Sequence, residues 1–127
     1  MRYLRKFNES FSKTPGMRLH YGENVISECD LIIDDIKDMM LELTDTGLIT
    51  TVGYTPMTLV YQDKDPKISA EVTGGLEICQ LNDEDIFSTF NRIKEYVKSK
   101  GYVTGFGYWE RGSSFAPMKI YQMLIQK

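Results

Sequence analysis

Apolar residues recur at helical spacing along two stretches of the chain. Ile32, Ile33, Ile36, Met39, Met40 and Leu43 place one apolar stripe on a helix over 25–45, and Gly47 stands where a left-handed cap ends such a helix. Ile86, Phe87, Phe90, Ile93, Tyr96 and Val97 mark a second helix, opened by Asn82 as cap. Asp83, Glu84 and Asp85 place negative charge at its positive dipole end, and Gly101 stops it. Between and after these helices the period changes. Segments 48–54, 57–62 and 102–109 read as strands, as does 118–125. The runs 68–72 and 76–80 flank Thr73-Gly74-Gly75 as a hairpin with a glycine-bearing loop. Asp63-Lys64-Asp65-Pro66-Lys67 reads as a polar turn.

The two halves overlie at an offset of 54 residues. Gly47-Leu48-Ile49-Thr50-Thr51-Val52-Gly53-Tyr54 falls on Gly101-Tyr102-Val103-Thr104-Gly105-Phe106-Gly107-Tyr108. The helices before them match in apolar pattern, and Pro56-Met57-Thr58-Leu59-Val60-Tyr61-Gln62 resembles Pro117-Met118-Lys119-Ile120-Tyr121-Gln122 with one residue deleted. A helix cannot bury its stripe on a lone hairpin, so two such units are expected to share one sheet. The expected fold is therefore α+β: a two-layer sandwich whose mostly antiparallel sheet has about five to seven strands, with two helices on one face. The organisation is one domain over 1–127. Within it, 1–22 is an N-terminal extension or edge element, 23–62 a first αββ unit, 68–80 a connecting hairpin and 82–126 a second αββ unit.

Composition narrows the function classes. At 127 residues, with 42% hydrophobic and 26% charged side chains, the chain has enough apolar material to fold without staples. Cys29 and Cys79 show no metal or redox spacing and sit in apolar runs, which reads as buried free thiols. No stretch approaches a membrane span and no export signal opens the chain, so the expected location is cytoplasmic and no membrane partner is expected. The net charge of −3 weighs against nucleic acid, whose affinity is supplied mainly by Lys and Arg.

Candidate chemistry is thin. Glu28, Asp30, Asp34, Asp35, Asp38, Glu42 and Asp45 scatter around the polar arc of the first helix and read as a solvated face rather than a metal site. His20 is the single histidine and lies in an expected loop without a nucleophile motif. No catalytic residue, metal ligand or cofactor is assigned. The loop 109–116 is what the second half has and the first lacks, and it holds Trp109, Glu110, Arg111, Ser113, Ser114 and Phe115, residue types suited to a contact surface. Tyr54 and Tyr108, at matching repeat positions, are candidates for stacking on a ligand. Tyr102, Phe106 and Tyr108 are expected to pack on the helices, with Gly105 and Gly107 on the opposite face.

Two resemblances accompany this reading. Gly105-Phe106-Gly107-Tyr108 resembles the central part of the RNP1 strand of the RNA-recognition motif family, which implies base stacking. Thr104 stands where that family has Lys or Arg, Arg111 stands where it has a final aromatic, and the segment follows the second helix instead of preceding it. Met1-Arg2-Tyr3-Leu4-Arg5-Lys6-Phe7-Asn8-Glu9-Ser10, a short helix or strand, resembles the opening of small uncharacterised proteins of large tailed bacteriophages. That resemblance implies a setting in host cytoplasm or virion, as a host-takeover, anti-defence or accessory factor. The resulting expectation is a non-enzymatic interaction protein binding a protein partner, with a homo-oligomer possible. A small-ligand or nucleotide-sequestering protein is the first alternative, and an RNA or single-stranded DNA binder the second.

Overall fold

A computed structural model of the chain describes residues 15–60, 64–112 and 116–127. The readings of residues 1–14 as helix or strand lie outside the described residues. Within them the fold is α+β, with one antiparallel sheet of four strands and six helices. Helices α1 (Pro15–Tyr21), α2 (Glu23–Met39) and α3 (Leu41–Thr44) lead into strand β1 (Ile49–Tyr54) and the short helix α4 (Pro56–Leu59). Strand β2 (Ile68–Gly75) runs directly into α5 (Leu76–Leu81) and α6 (Asp83–Ser99). Strands β3 (Val103–Arg111) and β4 (Met118–Gln126) complete the sheet in the order β1-β2-β4-β3.

Alternation along the strands decides which face is covered. Ile68, Ala70, Val72 and Gly74 of β2 are buried, as are Tyr121, Met123 and Ile125 of β4, and they lie in register across the pair. Onto this face come Cys29, Ile32, Ile33 and Ile36 of α2 and Ile86, Phe90, Ile93 and Val97 of α6. Both long helices thus pack on one side of the sheet, as their stripes require. Tyr96 of α6 donates its hydroxyl to Asp35 of α2 and ties the two helices together. Gly47 and Gly101 both close helical segments at positive φ, 95° and 89°, where a side chain would be strained.

Five expectations need correction. Among the described residues the sheet has four strands instead of five to seven. The strand expected over 57–62 is replaced at Pro56–Leu59 by a helical turn, because Thr55 caps it by accepting from the Thr58 amide and Pro56 presets its first φ. The hairpin expected over 68–80 is one strand followed by a helix. Gly74 serves close approach instead of a turn: a Cβ there would sit 2.6 Å from Leu48 Cδ2 and 3.2 Å from Cys79 Sγ. The first helix breaks at Met40 (φ −96°, ψ 0°), which turns its last residues so that Leu43 and Leu48 both enter the core. Asn82 occupies the expected cap position of α6, but its amide donates back to the Ile78 carbonyl at 2.9 Å.

Candidate functional site

Strand β3 starts where Gly101 reverses the chain and the Tyr102 amide donates to the Val97 carbonyl at 3.0 Å. From there the side chains alternate. Tyr102, Phe106 and Tyr108 face the helix layer, and Gly105 and Gly107 lie on the opposite face, as the sequence pattern predicts. Tyr102 is buried in the core. Phe106 lies against Phe87 and Phe90 of α6, with ring centroids 5.7 and 5.5 Å apart. Tyr108 stacks on Tyr121 at 5.9 Å and 21°, and Phe87 meets Tyr121 edge-on at 5.7 Å. The Lys119 ammonium lies 5.9 Å from the centre of the Tyr108 ring. This cluster is partly wet: Phe87, Phe106 and Tyr108 are 42%, 46% and 59% exposed.

On the opposite face Val103, Gly105, Gly107, Trp109 and Arg111 follow one another, and that face of the sheet carries no described helix of the core layer. Trp109 stands in register with Ile120, then Thr73 and Ile49, forming one row across the four strands. Glu110 points to the helix side in register with Lys119, and Arg111 stands opposite Met118. Trp109, Glu110 and Arg111 are therefore strand residues and not part of a loop, a correction to the 109–116 reading. Gly112, at φ 108° and with the Ala116 carbonyl oxygen 2.6 Å from where its Cβ would lie, makes the tight exit from β3. Ser113, Ser114 and Phe115 lie outside the described residues.

Tyr54 is at the other edge of the sheet. Its hydroxyl donates to Asp30 Oδ1 at 2.6 Å, with the Ile26 carbonyl at 3.4 Å. Arg18 grips the second oxygen of Asp30 at 2.9 Å and also reaches Glu23 at 2.8 Å and Ser27 at 3.1 Å. Burial, then the hydrogen bond and charge of Asp30, hold the Tyr54 phenol far above its ordinary pKa. Tyr54 is in register with Ile68, Ile125 and Thr104, whereas Tyr108 is in register with Tyr121, Val72 and Thr50. Three strand spacings and four residues of rise put the two tyrosines about 20 Å apart. The structure does not bring them together, and one small ligand cannot touch both.

The acidic arc of α2 is more than a solvated face. Asp30 and Asp35 are half-buried anchors for Tyr54 and Tyr96, and Asp35 helps push the Tyr96 phenol up to about 12 after burial has begun the shift. His20 lies in α1, exposed, its ring edge-on to Tyr21 at 4.6 Å, and not in a loop. Cys29 and Cys79 are free and buried, and burial raises both thiols above their ordinary value, so they stay protonated at neutral pH. Tyr121 is 1% exposed, with a buried hydroxyl that has no hydrogen-bond partner among the described residues; burial, then the nearby Cys79 and Asp83, push it up to about 12. Among the described residues no group of His, Cys, Asp and Glu is arranged to hold a metal, and no helix is long and apolar enough to cross a membrane.

The site residues that sequence reasoning missed are Val103, Phe87 and Lys119. The exposure of Val103 and Phe87 follows from β3 being the last strand in the sheet, and strand order is not written in local periodicity. No family model matches the sequence, and no curated protein or solved structure matches it with significance.

Proposed function

We propose that this protein is a non-enzymatic interaction module that binds an extended polypeptide segment by strand addition along the free edge of β3. The observation that carries this reading is the character of that edge. Over nine residues, β3 pairs with β4 alone among the described strands, and it exposes Val103, Phe106, Tyr108 and Trp109 by 41% or more. Edge strands are ordinarily blunted by short length, proline, bulges or charge, because their unpaired amides and carbonyls template further pairing. The β3 edge has no proline, and no charge precedes Glu110. An incoming strand would place alternate side chains against Phe106, Phe87 and Tyr108 on the helix side and over Gly105 and Gly107 on the other, where no atom crowds the glycines.

The test is selection of a displayed random-peptide library on the immobilised protein, repeated with Thr104→Pro and Gly105→Pro. In an antiparallel ladder neighbouring residues turn their amides alternately toward and away from the partner strand. One of the two variants therefore removes an outward donor and leaves the β3–β4 ladder intact. Peptides rich in β-branched and aromatic residues are expected on the parent protein and lost on whichever variant keeps the parental melting temperature. Absence of any selected peptide, or selection unchanged by both substitutions, overturns the reading.

We also infer that the fold is a duplicated helix-hairpin unit. Strands β1 and β3 begin 54 residues apart, at Ile49 and Val103, the offset seen in the sequence. Thr50 pairs with Val72 and its counterpart Thr104 with Ile125, so the second strands correspond at 53. At that offset the counterpart of Ala70 is Met123, and these two residues pair with each other at the sheet centre. A two-fold axis relating the halves requires such a self-matching pair, which supports the duplication. The second strand of the first unit is then Ile68–Gly75 and not 57–62.

A further inference from the structure

We infer that the segment accepted by the β3 edge is β3 of a second copy, paired antiparallel with Gly107 facing Gly107 across a two-fold axis. This rests on the strand-addition reading and specifies its partner. Gly107 is the midpoint of Val103–Arg111, so this register pairs the whole strand, whereas moving the centre by one residue leaves two residues of each strand unpaired. Nine residues at roughly 3.4 Å each give a seam of about 30 Å.

Side chains about Gly107 are self-complementary. At one residue to either side stand Phe106 and Tyr108, which become a cross-strand aromatic pair twice over. They extend the half-wet cluster that Phe106 makes with Phe87 and Phe90 and that Tyr108 makes with Tyr121. At two residues to either side stand Gly105 and Trp109. The indole of one copy would lie over the bare backbone at Gly105 of the other, toward Leu124, which is in register with Gly105 and 39% exposed. A ring covering a cross-strand glycine is a recurrent way to stabilise a glycine-bearing strand. Farther out, Glu110 meets Thr104 and Arg111 meets Val103, so no like charges face each other. Centring on Tyr108 would instead set Glu110 against Phe106 and Arg111 against Gly105. Centring on Phe106 would set Gly105 against Gly107 with no ring to cover either. The isologous pairing closes as a dimer, because each copy uses its one β3 edge.

Cysteine cross-linking reads the register directly. Antiparallel partners have Cα atoms about 4.5–5.5 Å apart, within the span a disulfide bridges, whereas copies of Gly105 would be more than about 10 Å apart in this register. Gly105 and Gly107 both have open space at the Cβ position, so Gly105→Cys and Gly107→Cys should both fold, and native Cys29 and Cys79 are buried out of reach. Under mild oxidation Gly107→Cys is expected to form a covalent dimer and Gly105→Cys to stay monomeric on a non-reducing gel. In sedimentation velocity the parent is a dimer, and Trp109→Ala weakens self-association by about tenfold or more. A parent that sediments as a monomer throughout, or equal cross-linking of the two variants, overturns the inference. If the parent is monomeric while peptide selection remains sensitive to proline in β3, strand addition stands and only self-pairing falls. If neither occurs, both readings fall.

Discussion

Replacing Tyr54 by Phe removes one hydroxyl and almost no volume, so it isolates what the tie between β1 and α2 contributes. The hydroxyl donates to an ionised carboxylate at 2.6 Å, a charge-assisted hydrogen bond at a half-buried position. Hydrogen bonds to charged partners contribute about 1.5–3 kcal/mol. Asp30 keeps Arg18 at 2.9 Å after the change, so no carboxylate is stranded and the lower end applies, about 1.5 kcal/mol. With an unfolding entropy of about 2.1 cal/mol/K per residue, the melting temperature should fall by roughly 5–6 °C. Thermal melts followed by circular dichroism at neutral pH, with urea titrations as a second measure, test this. The tie also carries a pH signature. The Tyr54 phenol is raised in the folded state, so its contribution is complete below the unfolded value near 10 and is lost as pH climbs above it. The parent should lose stability above about pH 10 more steeply than Tyr54→Phe, so that the two curves converge. A variant that melts within a degree of the parent at neutral pH, or that loses stability in parallel with it in alkali, refutes the assignment of Tyr54 as a structural anchor.

Tyr121→Phe makes the opposite prediction from the same chemistry. Its hydroxyl is buried without a partner among the described residues, so removing it should leave stability unchanged or raise it slightly, measured by the same melts. Gly74→Ala should destabilise by about 1–3 kcal/mol in urea titration, because the new methyl group meets Leu48 and Cys79 inside a filled core. Gly105→Ala, where no atom lies within 4 Å, should cost no more than about 0.5 kcal/mol and serves as its control.

The sequence carried the elements whose signals are local. The stripe from Ile86 to Val97, the glycines at 47 and 101 that end helical segments, and the alternation of 102–109 each act over one or two turns of chain. What failed depended on distant partners. Thr73-Gly74-Gly75 has the composition of a turn, but Gly74 is set by how close Leu48 comes to β2 from a distant part of the sequence. Asp30 and Asp35 sit among other acids on a polar arc, and only the fold brings Tyr54 and Tyr96 to them. Tyr54 and Tyr108 match at the sequence offset of 54, but they stand on the two outer strands in registers four residues apart, so the fold holds them far from each other. The residue types of Trp109, Glu110 and Arg111 suit a contact surface, but their setting in a long edge strand follows from the order β1-β2-β4-β3.

The two outer strands, β1 and β3, carry matching sequence at the offset of 54, and the path of the chain as it leaves each strand explains why they differ. After β1, the chain turns at once through Thr55 and Pro56. The Thr55 amide donates to the Lys67 carbonyl at 3.0 Å, and the Lys67 amide donates to the Thr58 hydroxyl at 2.9 Å. The second of those bonds, with a proline one residue further on, stops β1 at six residues, and such an edge is too short and too blunted to template a long pairing. After β3 no proline intervenes until Pro117, and the strand runs three residues past the position matching Tyr54. Those three residues are Trp109, Glu110 and Arg111, the part of the second half that has no strand counterpart in the first. The extension therefore does two things at once: it lengthens the free edge to nine residues and moves its midpoint to Gly107. An edge ending at Tyr108 would have its midpoint between Gly105 and Phe106, residues on opposite faces of the strand, and would carry no indole to cover a glycine. Deleting 109–111 while keeping the turn at Gly112 should thus remove self-pairing and leave the core, which is built from residues up to Tyr102 and from β4, intact.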